Sequence, residues 1–463
     1  MMMRIWTPVL FSFLLILSAC EQAPETDTGF NVEVDYYKLE NGLRVVLAPE
    51  PSAPTVTVAV YYNIGFRNEP QGLTGFAHLF EHMMFEATPN MPSGAFDQLV
   101  EGGGGVNNGS TRYDYTNYFE IMPSHQLEPI LWVEADRMTA LDLSEENLEN
   151  QKGVVTNEVR VNVLNQPYGG FPWLDMPQAA NENWYNAHNF YGDLDDLQAA
   201  TLADAQSFFD TYYSPNNAVL VVAGDFDTAQ AREWVAKYFN PVPAGDLPPP
   251  PDLSEPEQVA EKFVTIEDAF APKPALAFSY HMPDRGSEAY YAMGFLDLIL
   301  LQGEDSRLYQ KLVKDNAYTD SVFGGINMIG NMFNYNGPML FTAGLIHDPE
   351  YSSEVIMAAV DEVIADVQAN GVSEEEMDRA MRKLQSGLYD TVGSATRFGL
   401  VDLLAAFALF DDNPARINSL EAEFQNITPA IIQQAANDYL RPSNRTVLER
   451  VPASEETGEG EGQ

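Results

Sequence analysis

The chain has a single cysteine in 463 residues, Cys20, so an intramolecular disulfide is excluded. Basic residues are scarce too: 24 Lys and Arg stand against 68 Asp and Glu, a formal net charge of −44. Nucleic acid and anionic lipid surfaces both require a basic patch, and nothing in this balance offers one. The acidic excess fits a solvated surface in salty surroundings, or attraction of cationic peptides. Histidine is also rare, with six in all. Near the N-terminus the apolar run from Val9 to Leu17, broken by Ser12, is too short to span a membrane. What remains is an ordinary globular composition, 45% apolar and 11% aromatic, at a length that calls for two domains or more.

That short run has the form of a signal h-region, with Arg4 as its positive n-region. Leu17-Ser18-Ala19-Cys20 follows it and resembles the bacterial lipobox, whose cysteine becomes the lipidated first residue of the mature protein. The alternative is plain secretion with cleavage near Ala19. Residues 1–19 read as signal peptide and 20–30 as a lipidated flexible tether. The expected location is the periplasmic face of a bacterial membrane, the outer membrane favoured.

His78-Leu79-Phe80-Glu81-His82 is the most informative stretch. At spacings i, i+3 and i+4 two imidazoles and a carboxylate project from one helical face. Two histidines one turn apart can both reach one Zn²⁺, and the Glu beside them can take a proton from water at that metal. The order H-x-x-E-H inverts the H-E-x-x-H zinc-peptidase helix. A helix with two satisfied surface histidines would show the same five letters, so a third ligand decides. Glu158 is the candidate. It lies on the helix that starts at Ser144, two turns past Gln151, with Val155 and Val159 turning its face inward. A buried carboxylate there needs a partner, which a metal would supply; the alternative is a surface pair with Arg160 or Lys152.

The chain divides at a run of prolines. The first half alternates strands (31–39, 43–48, 55–64, with Asn41-Gly42 as a hairpin turn) with the motif helix (75–85), a strand (114–121), helices (126–140, from 144, 202–212) and a buried strand (218–223). Asn240 to Pro256, with four consecutive prolines at 248–251, makes a semi-rigid extended spacer. After it the design repeats. Thr201 through Asn217 matches Thr428 through Asn444, Ser144-Glu145-Glu146 matches Ser373-Glu374-Glu375, and Val58–Tyr62 resembles Leu276–Tyr280. The second-half helix, Tyr290 to Leu298, has no histidine. The fold class is α+β: two tandem homologous layered domains, 31–239 and 257–451, of which only the first binds metal, and an acidic disordered tail over 452–463.

These residues together resemble the pitrilysin-type (M16) zinc metallopeptidases, in which H-x-x-E-H is followed by a ligand Glu in a V-V-x-x-E-like helix, here Val154 to Glu158. The resemblance extends to Gly75-Phe76-Ala77, to Asn108 to Thr111 with Asp114, Thr116 and Tyr118, to Pro167-Tyr168-Gly169 and to Tyr213 to Asn217, covering about residues 35–450. It implies the metallohydrolase layer fold shared by processing peptidases and S-ribosylhomocysteine (LuxS-like) lyases. It implies one Zn²⁺ per chain, held by His78, His82 and Glu158, with Glu81 as general base for hydrolysis of peptides or unfolded segments. By the same resemblance, residues 102–111 (GGGGVNNGST) precede the strand whose edge pairs with substrate, and Asn108 binds it there; Gly102 to Gly105 alone reads as a floppy loop. Two positions depart from the family pattern. Gln151 stands where a second acid is common. Tyr318 is a candidate substrate-gripping residue in the metal-free half, but Lys311 stands where its Arg partner is expected. His125, His188, His281 and His347 read as structural or surface residues.

Family members close a chamber from four such domains, so a two-domain chain implies a homodimer or a heterodimer with a paralogous chain lacking the motif. Two other readings compete: a non-catalytic assembly subunit, against which the intact motif argues, and a lyase of the S-ribosylhomocysteine type, whose members are shorter and unduplicated.

Overall fold

The computed structural model describes residues 31–453. The signal, tether and lipidation readings at 1–30, Cys20 included, and most of the acidic tail lie outside them. The first half opens with β1 (Asp35–Lys38) and β2 (Arg44–Pro49), an antiparallel hairpin turning at Asn41-Gly42, then β3 (Thr55–Tyr62) and the motif helix α1 (Phe76–Met83). Its other main elements are β4 (Val106–Thr111), β5 (Thr116–Pro123), α2 (Leu127–Thr139), α3 (Glu145–Val159), α4 (Asp175–Ala180), α5 (Leu202–Tyr212), β6 (Ala218–Gly224) and α6 (Thr228–Phe239). The sheet order is β1-β2-β6-β3-β5-β4, antiparallel except for β2 beside β6. β6 is buried at every position, as an unbroken apolar run in mid-sheet should be. Ser144 caps α3 by accepting from the Asn147 N–H, and Thr201 caps α5 in a reciprocal box with Asp204.

The glycine-rich segment differs from its reading. Residues 106–111 are themselves the edge strand β4, and β5 is interior, between β3 and β4. Gly105 is not in a floppy loop: a Cβ there would stand 1.9 Å from Met122 Sδ, so the turn is packed on that side chain.

The second half repeats the plan: β7 (Lys262–Asp268), β8 (Ala275–His281), α7 (Glu288–Leu300), β9 (Phe323–Ile326), β10 (Leu340–Ile346), α8 (Ser353–Asn370), α9 (Glu374–Val392), α10 (Phe398–Phe410), α11 (Pro429–Tyr439) and β11 (Arg445–Pro452). Its sheet order, β7-β11-β8-β10-β9 with β7 and β11 parallel, is that of the first sheet without β1. Equivalent corners make equivalent bonds: Asn217 Nδ2 donates to Tyr212 O and Asn444 Nδ2 to Tyr439 O, each at 2.9 Å.

The halves exchange helices. α10 packs on the outer face of the first sheet, where the hydroxyls of Tyr61 and Tyr115 donate to Asp402 and Arg44 reaches the Leu409 carbonyl at 3.0 Å. In return Phe171, Met176 and Ala180 cover Ala275, Ala277 and Leu448 of the second sheet, and Arg450 on β11 pairs with Asp175 at 2.6 Å. Glu255 in the proline-rich spacer accepts from the Glu182, Asn183 and Asn186 nitrogens, pinning it to the first half. Among the described residues no helix is long and apolar enough to cross a membrane.

Candidate active site

α1 is only two turns long and enters through Gly75 at φ +83, a left-handed conformation that favours glycine; a Cβ there would also meet Tyr191 O at 2.5 Å. The helix buries Phe76, Leu79, Phe80 and Met83 in the first core and turns His78, Glu81 and His82 toward β4 and α3. Among the described residues His78, His82 and Glu158 form the group of potential metal ligands whose donor atoms all lie within 4.8 Å of one another. The two Nε2 atoms are 3.4 Å apart, and Glu158 Oε2 is 3.7 Å from His78 and 3.3 Å from His82. Donors about 2.0–2.1 Å from a tetrahedral zinc stand about 3.3–3.4 Å from each other, so this nitrogen and oxygen set fits Zn²⁺ and leaves a fourth position open.

The electrostatics suit that use. Burial pushes the His78 imidazole down to about 4, against the pull of Glu158, so it is neutral and able to coordinate at neutral pH. The hydrogen bond with His82 holds Glu158 below the usual carboxylate range and outweighs its partial burial. Glu81 is different. Burial raises its carboxyl despite the Thr111 hydroxyl, which donates to Oε2 at 2.8 Å, and a raised carboxylate is a better base. Gly109 of β4 faces Glu81: a Cβ there would lie 3.2 Å from Glu81 Cγ.

Lys152 is taken by Glu149 at 2.7 Å, while Glu158 turns to the imidazoles. Gln151, where a second acid was expected, donates to Glu86 at 2.6 Å. Asn108 lies exposed on β4, its Oδ1 accepting from the Gly109 N–H. Tyr318 is not part of this cluster: its ring packs on Tyr351 at 4.7 Å, and Lys311 pairs with Glu362. The Thr111–Glu81 bond and the aromatic wall of Phe190 and Tyr191 beside His78 escaped the sequence reading. Only the adjacency of Thr111 to the glycine-rich run hinted at them.

Among the described residues the second half carries no such group at the same place. At the same step from the capping serines Ser144 and Ser373, Gly387 stands on α9 where Glu158 stands on α3. A cavity of about 550 Å³ opens there, lined by Gly294, Asp297, Leu298, Gly325 and Gly387 among others.

Two family profiles match the chain: Insulinase (Peptidase family M16) over residues 44–168, and the Peptidase M16 inactive domain over 199–384. The chain belongs to peptidase family M16. The first match carries His78, Glu81, His82 and Glu158, and the second begins before β6 of the first sheet and runs on through most of the second half. The Zinc protease PqqE of Helicobacter pylori is 27% identical over 419 residues, 89% of this chain and 91% of that protein. The crystal structure of a protease from Helicobacter pylori superposes with a TM-score of 0.84 at 25% identity, covering 91% of this chain and all of that one. A peptidase M16 inactive domain structure from Pseudomonas fluorescens shares the fold, with a TM-score of 0.79 at 20% identity over 91% of this chain and 98% of its own.

Proposed function

We propose that this M16 peptidase is a zinc-dependent endopeptidase that hydrolyses peptides or unfolded segments, with His78, His82 and Glu158 as ligands and Glu81 as general base. The observation that carries the reading is the Glu158 carboxylate standing 3.3 and 3.7 Å from the two imidazole nitrogens. Zinc, when bound, supplies Lewis acidity toward the scissile carbonyl and acidifies water at the site. The protein's own groups do the rest. Glu81, held by Thr111, takes the proton of the attacking water and returns it to the leaving amine nitrogen. The free edge of β4 offers backbone donors and acceptors to an extended substrate, with Asn108 exposed on it. Tyr318 is the candidate contact from the metal-free half.

The leader supports export and lipid anchoring through Cys20 to the periplasmic face of a membrane, the outer one favoured. The domain limits 31–239 and 257–451 follow the two sheets and the spacer, with the exchanged helices crossing them. Two domains per chain support pairing with a second copy or a paralogue. The test is metal content and cleavage of a peptide library by protein lacking residues 1–20, before and after chelation, beside Glu81→Gln. The variant is expected to retain zinc and lose on the order of 10²–10⁴-fold in rate. Equal cleavage by wild type and Glu81→Gln, or full cleavage by metal-free protein, overturns the reading.

A further inference from the structure

A helix of two turns does not hold its own register in water, because nucleation is costly and few bonds repay it. α1 must nevertheless hold His78, Glu81 and His82 in place, so its fixing comes from outside. At the C-terminal end, Tyr118 Oη donates to Phe80 O at 2.9 Å and Arg137 to Met84 O at 3.3 Å. At the N-terminal end Gly75 has no side chain to cap with. The cap comes from Glu69 in the preceding loop, whose Oε2 accepts from Gly75 N at 2.8 Å and whose Oε1 accepts from Ala77 N at 2.6 Å.

Glu69 is fully buried. A buried carboxylate needs more than two amides, and His188 provides it, with Nε2 3.7 Å from Glu69 Oε2. His188 Nε2 also stands 2.6 Å from Phe66 O, and Nδ1 stands 3.1 Å from Trp184 O. Carbonyl oxygens only accept, so both ring nitrogens carry hydrogen and the ring is the cation. Trp184 stacks flat on it at 4.3 Å. A buried ion pair thus sits behind the first turn of the helix that presents His78. Neither residue is among the metal-ligand group.

We propose that Glu69, with His188 as its counter-ion, is a positioning residue for the zinc site. Its carboxylate cancels the positive end of the α1 dipole, which would otherwise oppose a dication beside His78, and it fixes the first turn so that His78 meets His82 and Glu158. The proposal rests on the reading of those three residues as zinc ligands.

The test uses the full chain and compares wild type with Glu69→Gln, His188→Gln and His78→Ala. It reads zinc affinity by chelator competition, the visible spectrum of Co²⁺-loaded protein, kcat and KM, and the thermal melt. Glu69→Gln keeps the volume and one accepting oxygen. It is expected to lose about 10–100-fold in zinc affinity, to alter the Co²⁺ spectrum and to lower kcat with little change in KM. His188→Gln, which leaves the cap in place, is expected to show a smaller loss in the same direction. Zinc affinity and Co²⁺ spectrum equal to wild type in Glu69→Gln overturn the proposal; if that variant does not fold, wild-type affinity in His188→Gln overturns it. His78→Ala separates the two levels, because zinc retained there overturns the ligand reading itself.

Discussion

At the scale of single residues, two carboxyl groups on the same face of equivalent helices have been put to different ends. Glu81 faces Gly109 and stands on the helix that carries the two imidazoles; Asp297 on α7 faces Gly325 at 3.5 Å from where a Cβ would sit, with the Gln302 amide and a backbone N–H for company. Burial pushes Asp297 up to about 7, against those two hydrogen bonds. The folded chain keeps a proton that the unfolded chain releases near 4, so Asp297 costs stability progressively as pH rises from about 4 to about 7, and the cost is level above that. Asp297→Asn is expected to be more stable than wild type by about 1–3 kcal/mol above that pH and equal to it well below; thermal melts across the range check it. At the active site Gly109→Ala is expected to lower the rate at least tenfold with the fold intact, since the new methyl group presses on Glu81, Phe85 and Tyr118 together; circular dichroism beside the assay checks it. That His78, Glu81 and His82 share a face was legible in the sequence because a helix turns fixed spacings into one side, and Glu158 stands beside the two imidazoles. The roles of Thr111 and His188 were not legible, since each acts through a contact across tens of residues, nor was that of Glu69, which caps α1 from the loop six residues before Gly75 and not from the N-cap position.

At the scale of elements, helix starts were the most readable feature. Ser144, Thr201, Ser373 and Thr428 each accept a hydrogen bond from the first turn they precede, so a capping letter in the sequence is a physical bond in the fold. Ser373→Ala removes the hydroxyl half of a capping box, leaving the backbone N–H to Glu376, on a helix with three acidic residues in its first turn, and is expected to cost about 1 kcal/mol, measured by denaturant unfolding. Strand β4 was the hardest element to read. Its sequence, VNNGST, carries none of the apolar alternation that marks a half-buried strand, because it lies at a sheet edge beside the Glu81 carboxylate. A strand whose outer hydrogen-bonding row is left for another chain has no need of an apolar face, and so leaves a faint trace in the sequence.

At the scale of the whole molecule, the proline-rich spacer suggests two beads on a string, and the structure shows an exchange instead. An apolar helix such as FGLVDLLAAFALF announces burial without saying against which sheet. It lies on the first sheet, tied by Arg44 at one end and by the Arg397–Glu50 pair at 2.7 Å at the other. Either half alone would uncover a sheet face, and the second would lose the Tyr61 and Tyr115 hydroxyls that donate to buried Asp402. Residues 31–256 and 257–453 expressed separately are therefore expected to be insoluble or molten, and together to recover a folded complex; near-ultraviolet dichroism and gel filtration check both. If the spacer is cut at an engineered protease site among residues 246–250, the particle is expected to keep its size and its activity. The peptide link between the halves then serves chiefly to set stoichiometry. A chain built this way is an interlaced dimer of two unequal partners, and its ancestor before duplication would have needed a twin to shield its own sheet.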